Sequence, residues 1–222
     1  MTVPGRVETA SLLLSLEPAP WLLRHSRAVA EVAAWLAARI DERGVAVDRR
    51  LVEAAALLHD VDKALPGGHP ARALPHGEGS AAWLTAAGHG ELARAVQGHP
   101  VTRLANGDRF RRWAAFASRE ERIVAYADKR AGQRLESMDA RFASWRRRYP
   151  QATTTARHTQ AGRAEAWDAT TFDAVRARAA RLETDVCRAA GVAPGDVRRL
   201  AWTGAAIRSA REAARNRATA GR

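Results

Sequence analysis

Apolar residues along the chain recur mostly three, four and seven positions apart, the spacing of a helix face, and no stretch of useful length alternates as a strand would. Over residues 20–43, Leu22, Val29, Val32, Leu36 and Ile40 fall on one stripe, which predicts a long amphipathic helix, and His25 lies on the same stripe. Gly44 closes that helix. A second is expected over residues 48–64, with Val52, Ala56 and His59 on one face and Leu51, Ala55 and Leu58 on its flank. Its end reads HDVDK.

Residues 65–75, LPGGHPARALP, carry three prolines and two glycines and read as a loop that could lie over a site. Helices are expected over 79–87 and 89–97, punctuated by Gly88 and Gly98, with His76 and His99 just outside them. Ser118 and Glu121 have capping-box spacing, and Val124, Asp128, Ala131 and Leu135 line one face downstream. Residues 138–148 read as a further helix.

The polar, threonine-rich segment 151–155 marks the expected boundary between a main domain, residues 1–150, and a C-terminal helical appendage, 151–222. In the appendage Phe172, Val175, Ala179, Leu182 and Val186 step along one helix face. Leu200, Trp202 and Ile207 follow, and the sequence then becomes AREAARNRATAGR, a basic tail expected to fray because it has little to bury. The fold class read from these patterns is all-α.

Composition changes the picture in three places. At 222 residues with 46% hydrophobic and 27% charged positions, the chain fits a globular protein rather than a disordered or fibrous one. The single cysteine, Cys187, excludes an internal disulfide framework, and the absence of a secretory leader pattern gives a cytoplasmic expectation. No apolar run approaches the roughly 20 residues needed to span a bilayer, so no membrane association is expected.

The formal charge of +12 favours anionic partners, but 34 arginines against two lysines is a compositional skew that explains much of it. The two lysines stand out for that reason. Lys63 lies three residues past Asp60, and Lys129 one past Asp128; a compact ammonium on a flexible stem suits a point contact with an anion.

Ionisable residues on apolar faces, here His25, His59 and Asp128, need partners once buried, and shared coordination of a metal ion supplies them. With Asp60 they make a nitrogen and oxygen donor set suited to iron, manganese, zinc or magnesium.

These residues resemble the HD superfamily, whose pattern is a His on one helix, a His-Asp pair on the next and a later Asp. The chain supplies them in order: His25 within LLRHSRAVAEVA, His59 and Asp60 within AALLHDVDKA, and Asp128 within IVAYADKR, a likeness that runs over roughly residues 10–135. The resemblance implies an HD-domain helical bundle and a metal-dependent phosphohydrolase.

Subsets of that family add two histidines between the pair and the last Asp. His76, in PHGEGSAAWL, and His99, in AVQGHP, stand where those are expected, which implies two ions bridged by Asp60. His69 and His89 are read as surface residues. On this reading Lys63 assists at a phosphoryl oxygen or the leaving group, Asp62 and Glu78 are candidates for orienting water, and Arg103 and Arg130 are candidate phosphate contacts. The implied substrate is a small nucleotide, such as a dinucleoside polyphosphate, a nucleoside monophosphate or a signalling nucleotide. The Gly-Tyr-Pro element and paired histidines of the cyclic-di-GMP phosphodiesterases are missing.

Two other readings remain open at this point. The same ligand order serves mixed-valent di-iron oxygenases of the superfamily. A nucleotide- or RNA-binding module without catalysis would use the arginine-rich tail on phosphates and show steep salt dependence.

Overall fold

The computed structural model describes residues 3–148 and 167–220, and among these it is helical, with one isolated bridge between Ala131 and Leu135. In chain order the helices are α1 Arg6–Ser15, α2 Pro20–Glu42, α3 Arg49–Leu58, α4 Glu78–Ala86, α5 Ala93–Gln97, α6 Gly107–Phe116, α7 Arg119–Arg130, α8 Met138–Arg148, α9 Ala169–Ala190 and α10 Thr203–Ala220. Short 3-10 turns connect several of them. No helix among the described residues is long and apolar enough to cross a membrane. The expected boundary at 151–155 lies outside the described residues.

Helix α2 is the axis of the molecule. Pro20 opens it, where the missing amide proton costs no hydrogen bond, and its expected stripe, Leu22, Val29, Val32, Leu36 and Ile40, is buried. Helices α3, α7 and α9 pack against it. The Asp48 side chain accepts from the Leu51 amide at 2.9 Å to start α3, and Ser118 and Glu121 form the expected capping box on α7. Gly191, at φ +65°, ends α9 in the left-handed conformation.

Several elements differ from expectation. The helix foreseen over 48–64 stops at Leu58, and residues 61–64 continue as a 3-10 turn. The His59 ring bonds the Ala56 carbonyl at 2.8 Å, an acceptor that a continuing helix would give to the Asp60 amide, and Asp60 settles at φ −110°, ψ 21°. Second, α7 stops at Arg130, so Ala131 and Leu135 share a bridge rather than a helix face. Third, α1 and α6 were not foreseen; Asn106 caps α6 by accepting from the Arg109 amide at 2.9 Å.

The C-terminal helices share the core of the rest. Leu182, Val186, Cys187, Trp202 and Ile207 belong to the same buried cluster as Val32, Leu57, Val124 and Tyr126. Buried Glu31, in the middle of α2, accepts from Arg199 and Thr203, and the Leu200 amide donates to its carbonyl at 2.9 Å. Arg6 forks onto Glu53 at 2.6 and 2.7 Å while its guanidinium lies over the Trp202 ring. The tail expected to fray is helical to Ala220, with most residues after Ala210 exposed. Its alanines, arginines and glutamate favour helix without needing a partner surface.

Candidate metal centre

Six side chains converge where α2, α3, α5 and α7 meet. His25 comes from α2, His59 from the end of α3, Asp60 from the turn after it, His76 from the segment before α4, His99 from just past α5, and Asp128 from α7. All six expected metal ligands are thus brought together. His25 Nε2 lies 3.1 Å from His59 Nε2, 3.3 Å from Asp60 Oδ2 and 3.4 Å from Asp128 Oδ1. On the other side of the same carboxylate, Asp60 Oδ1 lies 3.1 Å from His76 Nε2 and 3.3 Å from His99 Nε2, and those two nitrogens are 3.1 Å apart.

The ring orientations are fixed from behind. Nδ1 of His25 lies 2.6 Å from the Gly132 carbonyl and Nδ1 of His59 2.8 Å from that of Ala56; His99 bonds Val96 in the same way, and His76 Nδ1 meets Asp62 at 2.8 Å. A carbonyl only accepts, so Nδ1 carries the proton on His25, His59 and His99, and each Nε2 turns inward. His59 and His99 use one device, a ring at a helix end donating to the carbonyl three residues before.

Donors at adjacent positions around an ion with bonds of about 2.1 Å stand roughly 3 Å apart, as these do. Asp60 Oδ1 is buried and faces only the inward nitrogens of His76 and His99, a place that a cation shared by all three would fill. The residues therefore fit divalent metal, in two half-sites that share Asp60: His25, His59 and Asp128 on one side, His76 and His99 on the other.

The charges agree. Burial alone would raise Asp60 and Asp128, yet the surrounding imidazoles and the ammonium groups of Lys63 and Lys129 hold both well below the usual carboxylate range. Burial pushes His59 down to about 3. It also pushes His25 and His76 down, but the hydrogen bonds and charges of Asp128 and Asp60 around His25, and of Asp60 and Asp62 around His76, lift each to about 9.

At pH 7 the metal-free protein accordingly carries an extra proton on His25 and on His76, which metal must displace. Affinity should fall as pH drops below about 9, by up to tenfold per pH unit for each displaced proton. Calorimetric titration with Mn²⁺ at pH 7, in buffers of different ionisation enthalpy, should show about two protons released when both half-sites fill. Release near zero would contradict this assignment.

Lys63 lines the open side, its Nζ 2.7 Å from Asp60 Oδ2. Lys129 does not reach the cleft. It is buried, donates to the carbonyls of His99 and Ala125, and so braces the His99 loop against α7. Asp62 is buried too, held by Ser80 at 3.0 Å, and it orients His76 rather than water. Glu78 pairs with Arg109 at 2.9 Å.

Arg103 and Arg130, expected at phosphates, do not line the cleft. Arg103 donates to the Gln97 carbonyl, and Arg130 is buried against Tyr126, Glu183 and the Pro194 carbonyl. Segment 65–75 lines no part of it either; the Ala71 carbonyl packs where a side chain on Gly79 would stand, and this seats α4. His69 and His89 stand outside the cluster, both half-buried.

The second half-site depends on one close contact. Gly77, at φ +86°, lies against Pro100, and a Cβ there would sit 2.7 Å from the Pro100 ring and 3.0 Å from the Gln97 carbonyl. His76 and His99 each neighbour one partner of that contact. Gly77→Ala should therefore cost about 1–3 kcal/mol in backbone strain and reduce bound metal from about two ions per chain to about one. Metal analysis alongside far-ultraviolet circular dichroism checks this; full metal content in a folded variant would refute it.

The centre opens into a cleft of about 460 Å³ whose outer wall includes Trp21, Gln133, Arg134, Arg141 and Trp145. None of these was singled out from the sequence, where the abundance of arginine hid Arg134 and Arg141. Among curated proteins and among solved structures none matches the chain. The family model of the HD domain matches residues 22–132, half of the chain, and so spans His25 through Asp128. The HD domain points to metal-dependent hydrolase activity, and its proteins bind divalent metals. With His25, His59, Asp60 and Asp128 in the family's order and gathered at one carboxylate, the chain belongs to the HD domain family.

Proposed function

We propose that the protein is a metal-dependent phosphohydrolase that cleaves a phosphoester or phosphoanhydride bond of a small nucleotide. The observation that carries this reading is the Asp60 carboxylate, buried, with one oxygen turned to each histidine pair, beside an open cleft. Divalent ions held there supply Lewis acidity, bringing the pKa of water from about 15.7 toward 7 and drawing charge from phosphoryl oxygens.

The chain's own residues do the rest. Lys63 keeps Asp60 oriented and, with its side chain 28% exposed, presents its ammonium to an oxygen of the bound phosphoryl group. Asp62 and the carbonyls of Gly132, Ala56 and Val96 keep the imidazoles aimed inward. Trp21, 46% exposed at the cleft wall, offers a nucleobase an aromatic face. A cleft of this volume suits a ligand of nucleotide size, and the chain's positive charge concentrates anions around it.

The test is metal analysis of the purified protein, then phosphate release from a panel of nucleotides and simple phosphoesters, with and without oxygen. Activity that needs metal, survives without oxygen and disappears in His59→Ala supports the proposal. Lys63→Ala should retain metal and lose about 10²–10³-fold in turnover. Failure of metal-loaded protein on every substrate, or oxygen uptake with a mixed-valent iron resonance signal, removes the proposal.

A further inference from the structure

We propose that Arg134 and Arg141 form a phosphate-recognition wall that makes a nucleotide with two or more phosphates the preferred ligand of this cleft; the proposal rests on the phosphohydrolase reading above. The metal ligands all fall within the family-matched residues, but much of the outer wall follows residue 132, so recognition is supplied by a segment of this chain's own.

In so arginine-rich a sequence an arginine earns notice only by being unpaired. Many are paired: Arg6 with Glu53, Arg122 with Asp185, Arg130 with Glu183, Arg199 with Glu31. Arg134 and Arg141 line the cleft and have no carboxylate within ion-pair distance among the described residues. Glu136 also lines it and, like Arg141, approaches Gly132, where a Cβ would lie 2.7 Å from its Oε1, but the two are beyond ion-pair distance of each other.

Arg141 is held ready. Its guanidinium lies 5.0 Å from the Trp145 ring centroid, and one terminal nitrogen is 3.4 Å from the Asp128 carbonyl. Another lies 3.2 Å from where a Cβ on Gly132 would stand, and the Gly132 carbonyl orients His25. The group thus rests on the backbone beside two metal-ligand positions, while its Nε is buried without an acceptor. Buried donors are normally satisfied, and a guanidinium fork matches the spacing of phosphate oxygens. Arg134 is brought to the same cleft by the turn in which the Gly132 amide donates to its carbonyl at 3.0 Å. A phosphate undergoing cleavage would be neutralised at the metal centre; the phosphates next to it need cations farther out, where these two stand.

The experiment uses the full metal-loaded chain and compares nucleoside mono-, di- and triphosphates of one base. Alongside, calorimetry measures binding of a β,γ-imido nucleoside triphosphate. Wild type should prefer the di- or triphosphate. Arg141→Gln should raise the triphosphate KM and the analogue Kd by about 10- to 100-fold, with a smaller loss for the monophosphate. Arg134→Gln, at an exposed position, should move both in the same direction by less, and it carries the test if Arg141→Gln does not fold. Arg141→Lys should restore only part, because it keeps the charge and loses the fork.

A wild-type preference for the monophosphate, or equal losses on mono- and triphosphate, overturns the wall. If wild type binds the analogue in an Arg141-dependent way but hydrolyses nothing, the phosphohydrolase reading fails and the wall stands. If the analogue does not bind, the wall falls whatever the catalysis.

Discussion

Replacing Asp60 with alanine should empty both half-sites and lower turnover by on the order of 10⁴-fold or more. No other side chain touches so much of the centre. Oδ2 lies 3.3 Å from His25, 3.5 Å from His59 and 2.7 Å from Lys63, while Oδ1 lies 3.1 and 3.3 Å from His76 and His99. Without it, four imidazoles and Lys63 face one another around a centre that has lost its shared negative charge. Each ion would then be held by neutral nitrogen alone in one half, or by nitrogen and Asp128 in the other. Asp60→Asn separates charge from shape: it keeps the volume but has one acceptor oxygen, so it should hold at most one ion, weakly. Metal content by mass spectrometry and turnover on one substrate decide both cases. Two ions retained in Asp60→Ala would show that the carboxylate does not bridge. The fold should survive, since His25 keeps Asp128 and His76 keeps Asp62 as partners.

Much of this centre was legible in the sequence because periodicity reports burial. His25, His59 and Asp128 sit on apolar faces, where an ionisable group without a partner is costly, and the family resemblance supplied the order in which to read them. His76 and His99 were legible only through that resemblance, because the contact that joins them, Gly77 on Pro100, is made in space and leaves no periodic trace. Where α3 stops was not legible either: the stripe continues past Leu58, and a bond from the His59 ring to the Ala56 carbonyl overrides it. Arginine was the least legible residue. Arg103 and Arg130 neighbour motif residues in sequence yet point to structural partners, whereas Arg134 and Arg141 reach the cleft by a turn and a bridge that propensities do not announce.

Ending the chain at residue 150 should abolish the native fold, not merely trim an appendage. Leu182, Val186, Trp202 and Ile207 fill the core that α2, α3 and α7 share, and burying each is worth roughly 1.5–3 kcal/mol. Glu31, 3% exposed, would lose Arg199 and Thr203, and an uncompensated buried charge costs about 3–5 kcal/mol. The sum, roughly 9–17 kcal/mol, is as large as the whole stability of a typical domain, about 5–15 kcal/mol. The loss would reach the metal centre through α7: Tyr126 donates to Glu183 of α9 at 2.8 Å, Arg130 pairs with the same carboxylate at 3.4 Å, and Asp128 lies between them on the helix. Thermal melting by circular dichroism and metal titration of residues 1–150 read the outcome. A broad, non-cooperative melt with little metal bound is expected; a sharp transition near that of the full chain, with two ions held, would show that the first 150 residues carry their own core. The domain-sized N-terminal match to the family is then better understood as the part of the fold that holds the metal, while the helices after it keep α2 and α7 in register so that ligands from different helices meet at Asp60.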